Sequence, residues 1–389
     1  MKNHIATALC LLQVICAQNM MLGQATITPI DRGRFPNGHV LNQSSGLFSE
    51  GHDLFITHND QGNPTMQLFR FTPSTGTSAL PVLDTIDINY VNSDWEDLTT
   101  NGTDKIYLCE TGKNCNANSP PDCPGRYIFK ILEIPITALH APGLEPITPT
   151  VHHFKYPLLG TCTSADTVFA NVEAVVYKNQ NAYVFTKDIW SKNTNNCGSW
   201  DNNFTYCFKI PLTSGSSSSN PIVASYVGSF KLEVVPGEAY VDKKPLAAAL
   251  DPSGNILAIT SGTRLWLFEQ FSGDDWFGGQ SRYLDYTDGG GNKVSRGYEG
   301  MDFIDANHIL LSVDGNNGRV QELDLTGIIN SGNVGIGTSL PQSRLHIKEG
   351  DVYLDSNQGG MILKNASGDC YKIIVDSGGN LVSTNVPCP

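Results

Sequence analysis

The stretch Glu96-Asp97-Leu98, followed ten residues after its start by an apolar run from Ile106, is one of five copies of a pattern that decides the fold. Between its two runs lies the polar turn Asn101-Gly102-Thr103-Asp104. The other copies begin at Ser45-Gly46-Leu47, Glu173-Ala174-Val175, Ala247-Ala248-Ala249 and Glu299-Gly300-Met301. Their second runs begin ten residues after each start, at Phe55, Tyr183, Leu257 and Ile309. A repeat of about fifty residues made of short strands is typical of a β-propeller.

The first repeat predicts the four strands of one propeller blade. They are expected at residues 46–49, 53–58, 67–72 and 80–86. The fifth repeat lacks a fourth strand before Gly327. We expect residues 25–31 to supply it, because an N-terminal strand that completes the last blade leaves no sheet edge exposed. The prediction is an all-β propeller of five blades, or of six if a degenerate blade lies within residues 139–169; a β-sandwich or a solenoid is the competing architecture.

The charge balance and the N-terminal segment constrain the partners and the compartment of the protein. The 389 residues carry a net charge of -13, which argues against a nucleic-acid backbone as partner. Residues 1–4 and the apolar stretch 5–17 are typical of a secretory signal peptide, which is too short to span a bilayer. We expect residues 1–24 to be the signal peptide, the mature protein to be secreted or held at the cell surface, and no segment to insert into a membrane.

Cysteine usage favours disulfide bonds over a zinc site. Two of the ten cysteines, Cys10 and Cys16, lie in the predicted signal peptide, and eight remain. An even number in an exported protein points to disulfides, although spacing alone leaves the connectivity open. The predicted pairs are Cys370 with Cys388, Cys197 with Cys207, Cys115 with Cys123, and Cys109 with Cys162.

Several acidic side chains are expected to meet at one face of the propeller. Each first strand starts, and each second strand ends, at the same end of its blade, because consecutive strands are antiparallel. Crowded carboxylates repel one another unless a cation binds among them, and oxygen ligands suit Ca²⁺ or Mg²⁺ better than Zn²⁺. The predicted metal ligands are Glu96, Asp97, Glu173, Glu299, Asn59 and Asp60. Lys187, Asp188 and Asp314 are expected to bind ligand at the same face. The alternative is an acidic channel that holds only water.

The motifs at this face resemble those of a family of exported bacterial propeller proteins. They are Ser45-Gly46-Leu47, Thr57-His58-Asn59-Asp60-Gln61-Gly62, Asp94-Trp95-Glu96-Asp97-Leu98, Glu110-Thr111-Gly112-Lys113-Asn114 and Arg126-Tyr127-Ile128-Phe129, within residues 44–325. That family is distantly similar to esterase-like phytases and calcium-dependent lactonases, whose axial acidic residues hold a metal ion. The resemblance implies a metal at the axis and adds Arg126 to the expected ligand-binding residues. Glu110 and Lys113 depart from it, since the family usually has aspartates there, and Ala247 stands where a further acid is expected.

A different composition begins after a predicted linker at residues 324–332. Asn333-Val334-Gly335-Ile336-Gly337-Thr338 and Gly350-Asp351-Val352-Tyr353-Leu354 resemble repeats of phage tail-fibre and bacterial surface-fibre stalks. The ending, from Ser367 to Pro389, resembles a C-terminal module of exported proteins of the Bacteroidetes type. We expect a propeller at residues 25–327 and a small, β-rich, fibre-like module at residues 328–389. The resemblance implies that this module associates as a homotrimer.

Two classes of function follow from these features. In the first, the protein is a metal-dependent hydrolase of a phosphoester or ester, similar to a phytase or a lactonase, in which His58 or Glu110 assists a water. In the second, the propeller is a non-catalytic binding or adhesion head for a small molecule or a glycan, displayed through the fibre-like module. The axial acids favour the first class, the C-terminal segment favours the second, and the fold alone favours neither. The expectation that we favour is a secreted, metal-binding propeller.

Overall fold

The structure is a computed structural model that describes most of the chain. The described residues are 25–36, 41, 43–51, 53–60, 66–112, 128–141, 146–158, 167–192, 200–212, 215–234, 238–315, 318–329, 334–336, 345–347, 361–364, 367–376 and 378–387. Contacts divide the chain into two units, Met1–Ile329 and Asn330–Pro389. The predicted signal peptide lies outside the described residues. Within the described ranges, no helix has the length and apolar character that crossing a membrane requires.

The described part of the first unit contains five sheets of four or five strands, and the first three follow the chain from the first repeat to the third. Sheet 1 contains β3 (Ser44–Gly51), β4 (Leu54–Asn59), β5 (Gln67–Phe71) and β7 (Val82–Asp87). Sheet 2 contains β8 (Trp95–Thr100), β9 (Lys105–Glu110), β10 (Phe129–Pro135), β11 (Thr150–Lys155) and β15 (Ile222–Val223). Sheet 3 contains β12 (Thr167–Lys178), β13 (Asn181–Lys192), β14 (Thr205–Pro211) and β16 (Ser225–Phe230). A short helix, α1 (Ile136–Leu139), follows β10.

The last two sheets combine later repeats with strands from the start of the chain. Sheet 4 contains β17 (Ala247–Leu250), β18 (Ile256–Thr260), β19 (Arg264–Glu269), β20 (Gln280–Tyr286) and β1 (Ala25–Ile27). Sheet 5 contains β21 (Tyr298–Phe303), β22 (His308–Val313), β23 (Arg319–Asp324), β2 (Ile30–Arg34) and β6 (Gly76–Ala79). A 3-10 helix, Tyr240–Lys243, precedes sheet 4. The all-β propeller class predicted from the repeats is confirmed by these sheets.

The segment suspected of holding a sixth blade belongs to other sheets. Within residues 139–169, β11 is an outer strand of sheet 2 and β12 opens sheet 3. The described residues of the first unit therefore support the five-blade alternative.

The N-terminal segment completes the last repeat, as predicted, but with a shift along the chain. β2 pairs antiparallel with β23, placing Ile30 opposite Glu322 and Asp31 opposite Gln321. The carboxylate of Asp31 accepts hydrogen bonds from Arg319 at 2.5 Å and from Gln321 at 2.7 Å. The earlier residues, Ala25–Ile27, instead pair in parallel with β20 of sheet 4. Residues 25–31 therefore serve two neighbouring sheets rather than one.

Each sheet packs against two neighbours through apolar side chains that leave the strands on both faces. Five buried clusters lie between sheets 1 and 2, 2 and 3, 3 and 4, 4 and 5, and 5 and 1. The last of these joins Phe55 and Phe69 of sheet 1 to Leu310 and Val320 of sheet 5. Burial of this apolar surface is the main stabilising term of such a fold.

Two predicted disulfide pairs are wrong. Cys109 of β9 and Cys207 of β14 are free thiols, buried in the apolar clusters that sheet 3 shares with sheets 2 and 4 respectively. Burial raises the pKa of both thiols, so they behave as small apolar residues. The positions predicted to pair with them, Cys162 and Cys197, lie outside the described residues. Cys115, Cys123 and Cys388 do as well, so the other two pairs stay predictions.

Polar contacts also join neighbouring sheets. The carboxyl group in one of these contacts makes the stability of the fold depend on pH. The carboxylate of Asp302 in β21 accepts a hydrogen bond from the Ser49 backbone N–H of β3 at 2.7 Å. Burial raises the pKa of Asp302 to about 7, although the N–H groups of Ser49 and Phe303 oppose this. The folded state therefore holds the Asp302 proton more tightly than the unfolded chain does.

We expect this carboxyl group to stabilise the fold below pH 4 and to lose that contribution as the pH rises through about 7. Since the folded pKa is raised, the unfolded state binds fewer protons in this window and stability falls with pH. The full loss is about 4 kcal/mol, at about 1.4 kcal/mol per unit for a pKa raised from 3.8 to about 7, and about 3 kcal/mol of it falls between pH 5 and pH 8. Urea unfolding at pH 5 and pH 8 measures it, and Asp302→Asn should flatten the slope. Equal slopes for the two proteins would contradict the prediction.

The second unit is β-rich and small. Strands β24 (Val334–Ile336) and β25 (Leu345–Ile347) pair in parallel. Strands β26 (Met361–Lys364), β27 (Cys370–Val375) and β28 (Leu381–Val386) form an antiparallel meander. Large apolar side chains of this meander are exposed, namely Met361, Ile362, Leu363, Val375 and Leu381. So small a sheet buries little of its own apolar surface.

Candidate metal centre

Acidic side chains lie at the start of the first strand or at the end of the second strand of a sheet. Both positions are on one face of the sheets, which we call the axial face. In sheet 1, β4 ends at Asn59 and Asp60 follows it. In sheet 2, Asp94 precedes β8, and Glu96 is the second residue of that strand. Antiparallel pairing returns each second strand to the end where the first began, so these positions converge.

A β-bulge lies at the repeated motif in every sheet that carries a polar side chain to the axial face. The register between first and second strands shifts around Gly46, Glu96, Glu173 and Glu299, in sheets 1, 2, 3 and 5. Sheet 4, which has Ala247 at this position, pairs without a shift. A bulge takes a residue out of the hydrogen-bonded ladder and turns its side chain to a new direction. The bulges therefore account for Glu96, Glu173 and Glu299, which face the axis instead of the apolar clusters.

Three carboxylates form a compact group at this face, which we call the acidic cluster. One oxygen each from Asp60, Asp94 and Glu96 lies within 4.8 Å of the other two. Asp94 and Glu96 are buried, and Asp60 is partly exposed. Among the described residues, this is the group of His, Cys, Asp or Glu side chains with the spacing of a metal site.

Gly112 makes room for two of these carboxylates. A β-carbon built on Gly112 would lie 1.9 Å from Oε1 of Glu96 and 2.5 Å from Cγ of Asp94. The Gly112 N–H also donates a hydrogen bond to the Asp94 carbonyl oxygen at 3.4 Å. A glycine therefore forms a wall that no other residue could form without moving the carboxylates.

Short polar contacts hold the turns that carry the acidic cluster. The side chain of Asn92 donates to the Asn59 carbonyl oxygen at 2.9 Å and accepts the Trp95 N–H at 3.0 Å. The Ser45 hydroxyl donates to the Glu96 carbonyl oxygen at 2.5 Å. Asn59, a predicted metal ligand, uses its side-chain oxygen to accept the Gln43 N–H at 3.2 Å. The contacts of Asn92 with Asn59 and of Ser45 with Glu96 link sheets 1 and 2 next to the cluster.

A lysine lies among the remaining acids of the axial face. Lys187 Nζ is 2.5 Å from both carboxylate oxygens of Glu173, and Asn171 also donates to Glu173, at 2.9 Å. Glu299 and Asp314 of sheet 5 are close enough to act on the same charges. The structure thus divides the predicted ring of acids into a lysine-paired part around Glu173 and the acidic cluster of sheets 1 and 2.

The pKa values of Glu96, Glu299 and Lys187 are shifted by burial and by the neighbouring charges. Burial raises the pKa of Glu96 well above its usual value, and the charges of Glu173, Asp60, Asp94 and Glu299 add to the effect. Burial likewise raises the pKa of Glu299, with Glu173 and Asp314 contributing. Burial alone would lower the pKa of Lys187, but the neighbouring glutamates outweigh it and hold that pKa above its usual value. The carboxylates therefore repel one another in a poorly solvated place, which a bound cation would relieve.

Asp97, also predicted as a metal ligand, binds backbone amides instead. Its carboxylate accepts hydrogen bonds from the N–H groups of Leu98 at 2.9 Å, Val175 at 2.8 Å and Ala248 at 3.4 Å. These donors belong to the first strands of sheets 2, 3 and 4. The side chain is fully buried, and it joins three sheets near the axis.

The two predicted catalytic side chains occupy different surroundings. His58 is fully buried, and its Nδ1 lies 3.0 Å from the Asn59 carbonyl oxygen. Burial lowers the pKa of His58 to about 4, so the ring is neutral at pH 7. Glu110 accepts hydrogen bonds from the Ser93 hydroxyl at 2.6 Å and from Lys130 at 3.1 Å.

The three remaining predicted binding residues also differ in where they lie. Asp188 pairs with Lys244 at 3.1 Å and accepts a hydrogen bond from the Tyr240 hydroxyl. Asp314 lies at the axial face beside Glu299, and burial raises its pKa. Arg126 lies outside the described residues.

The donor set suits a hard divalent cation. Carboxylate oxygens are the preferred ligands of Ca²⁺ and Mg²⁺, and the acidic cluster contains neither thiolate nor imidazole. From the sequence, Asp94 and Gly112 were identified only as members of motifs, and neither was predicted to contribute to the metal site. The signal for both lay in the motifs Asp94-Trp95-Glu96 and Glu110-Thr111-Gly112, where an acid and a glycine occupy the ends of adjacent strands.

Comparisons with known proteins do not assign this chain to a family. No family model matches the sequence, and no curated protein does. Virginiamycin B lyase from Staphylococcus aureus is similar in structure, at 12% identity and a TM-score of 0.32, over 74% of this chain and 69% of that one. A protein of unknown function from Bacteroides thetaiotaomicron matches at 10% identity and a TM-score of 0.37, over 77% and 75% of the two chains. A chain of a nidogen/laminin complex matches at 9% identity and a TM-score of 0.35, over 77% and 89%. At these scores no argument about function rests on the likenesses, and the fold assignment rests on the strand order itself.

Proposed function

We propose that the protein binds one divalent cation, Ca²⁺ in preference to Mg²⁺, at Asp60, Asp94 and Glu96. The observation that carries this proposal is the convergence of the three carboxylates within 4.8 Å in a largely buried place. Lys187 neutralises Glu173, whereas burial and the charges of Glu173, Asp60, Asp94 and Glu299 raise the pKa of Glu96, so a cation bound at the acidic cluster would relieve this repulsion. Ca²⁺ tolerates irregular oxygen coordination better than Mg²⁺ does, which suits ligands from two sheets.

We further propose that this site hydrolyses a phosphoester or an ester. A bound Ca²⁺ would supply the positive charge that polarises the phosphoryl or carbonyl oxygen of a substrate. Of the two candidate proton acceptors, Glu110 is assigned the role, because it stands at the end of β9 beside Ser93, next to the acidic cluster. The fully buried His58 positions the turn at Asn59 through its Nδ1.

Calorimetric titration with Ca²⁺ tests the site directly. We expect a dissociation constant of roughly 0.1–1 mM, the range of extracellular calcium modules, and a higher Tm with Ca²⁺ than with EDTA. Glu96→Gln should weaken binding at least about tenfold, because it removes a charged ligand. Glu133→Gln, which changes a glutamate paired with Lys105 at 2.6 Å, is the matched control. An unchanged Tm with Ca²⁺ and with EDTA would refute the metal site, and loaded protein that cleaves no aryl phosphoester, ester or lactone would refute the hydrolase.

The exposed meander of the second unit favours a second candidate, a surface-displayed binding head. In this proposal the exported protein associates as a homotrimer through residues 330–389, and the axial face binds a small molecule or a glycan. The supporting observation is the exposure of Met361, Val375 and Leu381, since exposed apolar surface marks association sites. Light scattering should give three times the monomer mass, and Leu381→Lys should give the monomer mass. A monomeric wild-type protein would refute this association.

A further inference from the structure

A groove lies beside the acidic cluster and, unlike the cluster, is partly lined by apolar side chains. It has a volume of about 490 Å³, which is within the size range of small-molecule sites. Three of its lining side chains are apolar or aromatic, namely Met66, Tyr90 and Val91, and four are polar, namely Asn89, Ser93, Glu110 and Lys130. We call the first set the apolar wall of the groove and the second set its polar wall.

The polar wall is internally neutralised. Glu110 accepts hydrogen bonds from Ser93 and from Lys130, and the Lys130 ammonium lies 5.3 Å from the centre of the Tyr90 ring. The opposite charges of Glu110 and Lys130 balance, so this wall neither attracts nor repels a strongly charged group. The groove therefore suits the uncharged part of a ligand.

The apolar wall is open to solvent. Val91 is 70% exposed and Met66 is 38% exposed, although neither side chain has a polar group to be hydrated. Apolar side chains grouped in this way next to a concave surface are typical of ligand-binding grooves. An aryl or alkyl group that entered the groove would cover both.

The groove and the acidic cluster share one short piece of backbone. Ser93 reaches Glu110 in the groove, and the next residue, Asp94, belongs to the acidic cluster. Ser93 and Asp94 are consecutive residues of the bend that precedes β8, so a single peptide unit connects the groove to the acidic cluster. A ligand of modest size can therefore contact both.

We propose that the groove binds the aryl or alkyl part of an organic anion, a phosphoester of an apolar alcohol, whose anionic end lies at the acidic cluster. Binding of the anionic end of the ligand rests on the proposed function, because it requires the metal site. Binding of the apolar end depends on Met66, Tyr90 and Val91 alone. It names the substrate class that the acidic cluster leaves open. It also assigns Val91 and Met66 a role in specificity.

Phenylphosphonate and methylphosphonate are suitable probes, because they share one anionic group and differ in the apolar one. With Ca²⁺ present, calorimetry should show phenylphosphonate binding about tenfold more tightly than methylphosphonate. Val91→Asp should abolish that difference and leave Ca²⁺ affinity, measured without phosphonate, unchanged. Val223→Asp alters a valine that is 52% exposed on the outer strand of sheet 2, and it should preserve the difference.

The outcomes separate the groove from the metal site. Equal affinity for the two phosphonates in protein that binds Ca²⁺ would overturn the groove and leave the metal site standing. If Ca²⁺ does not bind, phenylphosphonate binding that Val91→Asp removes would support the groove alone. The absence of phenylphosphonate binding in that case would overturn both proposals.

Discussion

Replacement of Gly112 by alanine is expected to lower the affinity for Ca²⁺ at least about thirtyfold, which is about 2 kcal/mol of binding free energy. The new β-carbon would lie 1.9 Å from Oε1 of Glu96 and 2.5 Å from Cγ of Asp94. These are atoms of side chains, so the carboxylates should move while the backbone stays in place. Two of the three ligands in the acidic cluster would then be displaced together, with a small effect on the free energy of unfolding.

Calorimetric titration and thermal unfolding of the same samples measure the two quantities separately. Gly289→Ala is the matched control, because a β-carbon at Gly289 meets no atom within 4 Å. It should leave both Ca²⁺ affinity and Tm unchanged. A folded Gly112→Ala variant that binds Ca²⁺ as tightly as the wild type would show that Asp94 and Glu96 are not the ligands.

The strands could be predicted from the sequence because every copy of the repeat has to meet the same packing requirement. Each copy needs an apolar strand, a polar turn and a second apolar strand that packs between neighbouring sheets, and this pattern is visible at Leu98 and Ile106 as it is at Val175 and Tyr183. The role of residues 25–34 was harder to predict. Strand pairing between distant segments depends on register, which local composition does not determine.

The ligand set was less predictable because of the bulges. Glu96 and Asp97 are adjacent in sequence, and both were expected to bind the metal. The register shift between Trp95 and Leu98 separates their roles, since Glu96 faces the acidic cluster while Asp97 reaches the amides of Val175 and Ala248. A bulge adds one residue to one strand, and no composition rule states where it occurs.

The five sheets contribute unequally to the axial face, and the β-bulges account for part of this difference. Sheet 4 has a regular register and Ala247 at the motif position, and it contributes no acid there. In sheet 3 the bulge carries Glu173, but Lys187 of the facing strand pairs with it. The ring that the repeat suggests is therefore divided into the acidic cluster on sheets 1 and 2 and the acids around Lys187 on sheets 3 and 5.

Replacement of Asp97 by alanine is expected to destabilise the fold by roughly 2–5 kcal/mol without removing the Ca²⁺ site. Three buried N–H groups, those of Leu98, Val175 and Ala248, would lose their shared acceptor. Burial raises the pKa of Asp97, which offsets part of the gain from these bonds in the wild type. The net loss is still large, because the N–H groups would remain buried with no acceptor in reach of the alanine.

Asp60→Asn is the reciprocal variant, since it alters a partly exposed member of the acidic cluster. It should weaken Ca²⁺ binding at least about tenfold and change the free energy of unfolding by less than about 1 kcal/mol. Urea unfolding in EDTA and calorimetric titration of the folded variants measure the two effects. If Asp97→Ala instead lost Ca²⁺ binding while keeping its stability, Asp97 would be a ligand. The separation between metal binding and sheet joining, which the bulge in β8 creates, would then be wrong.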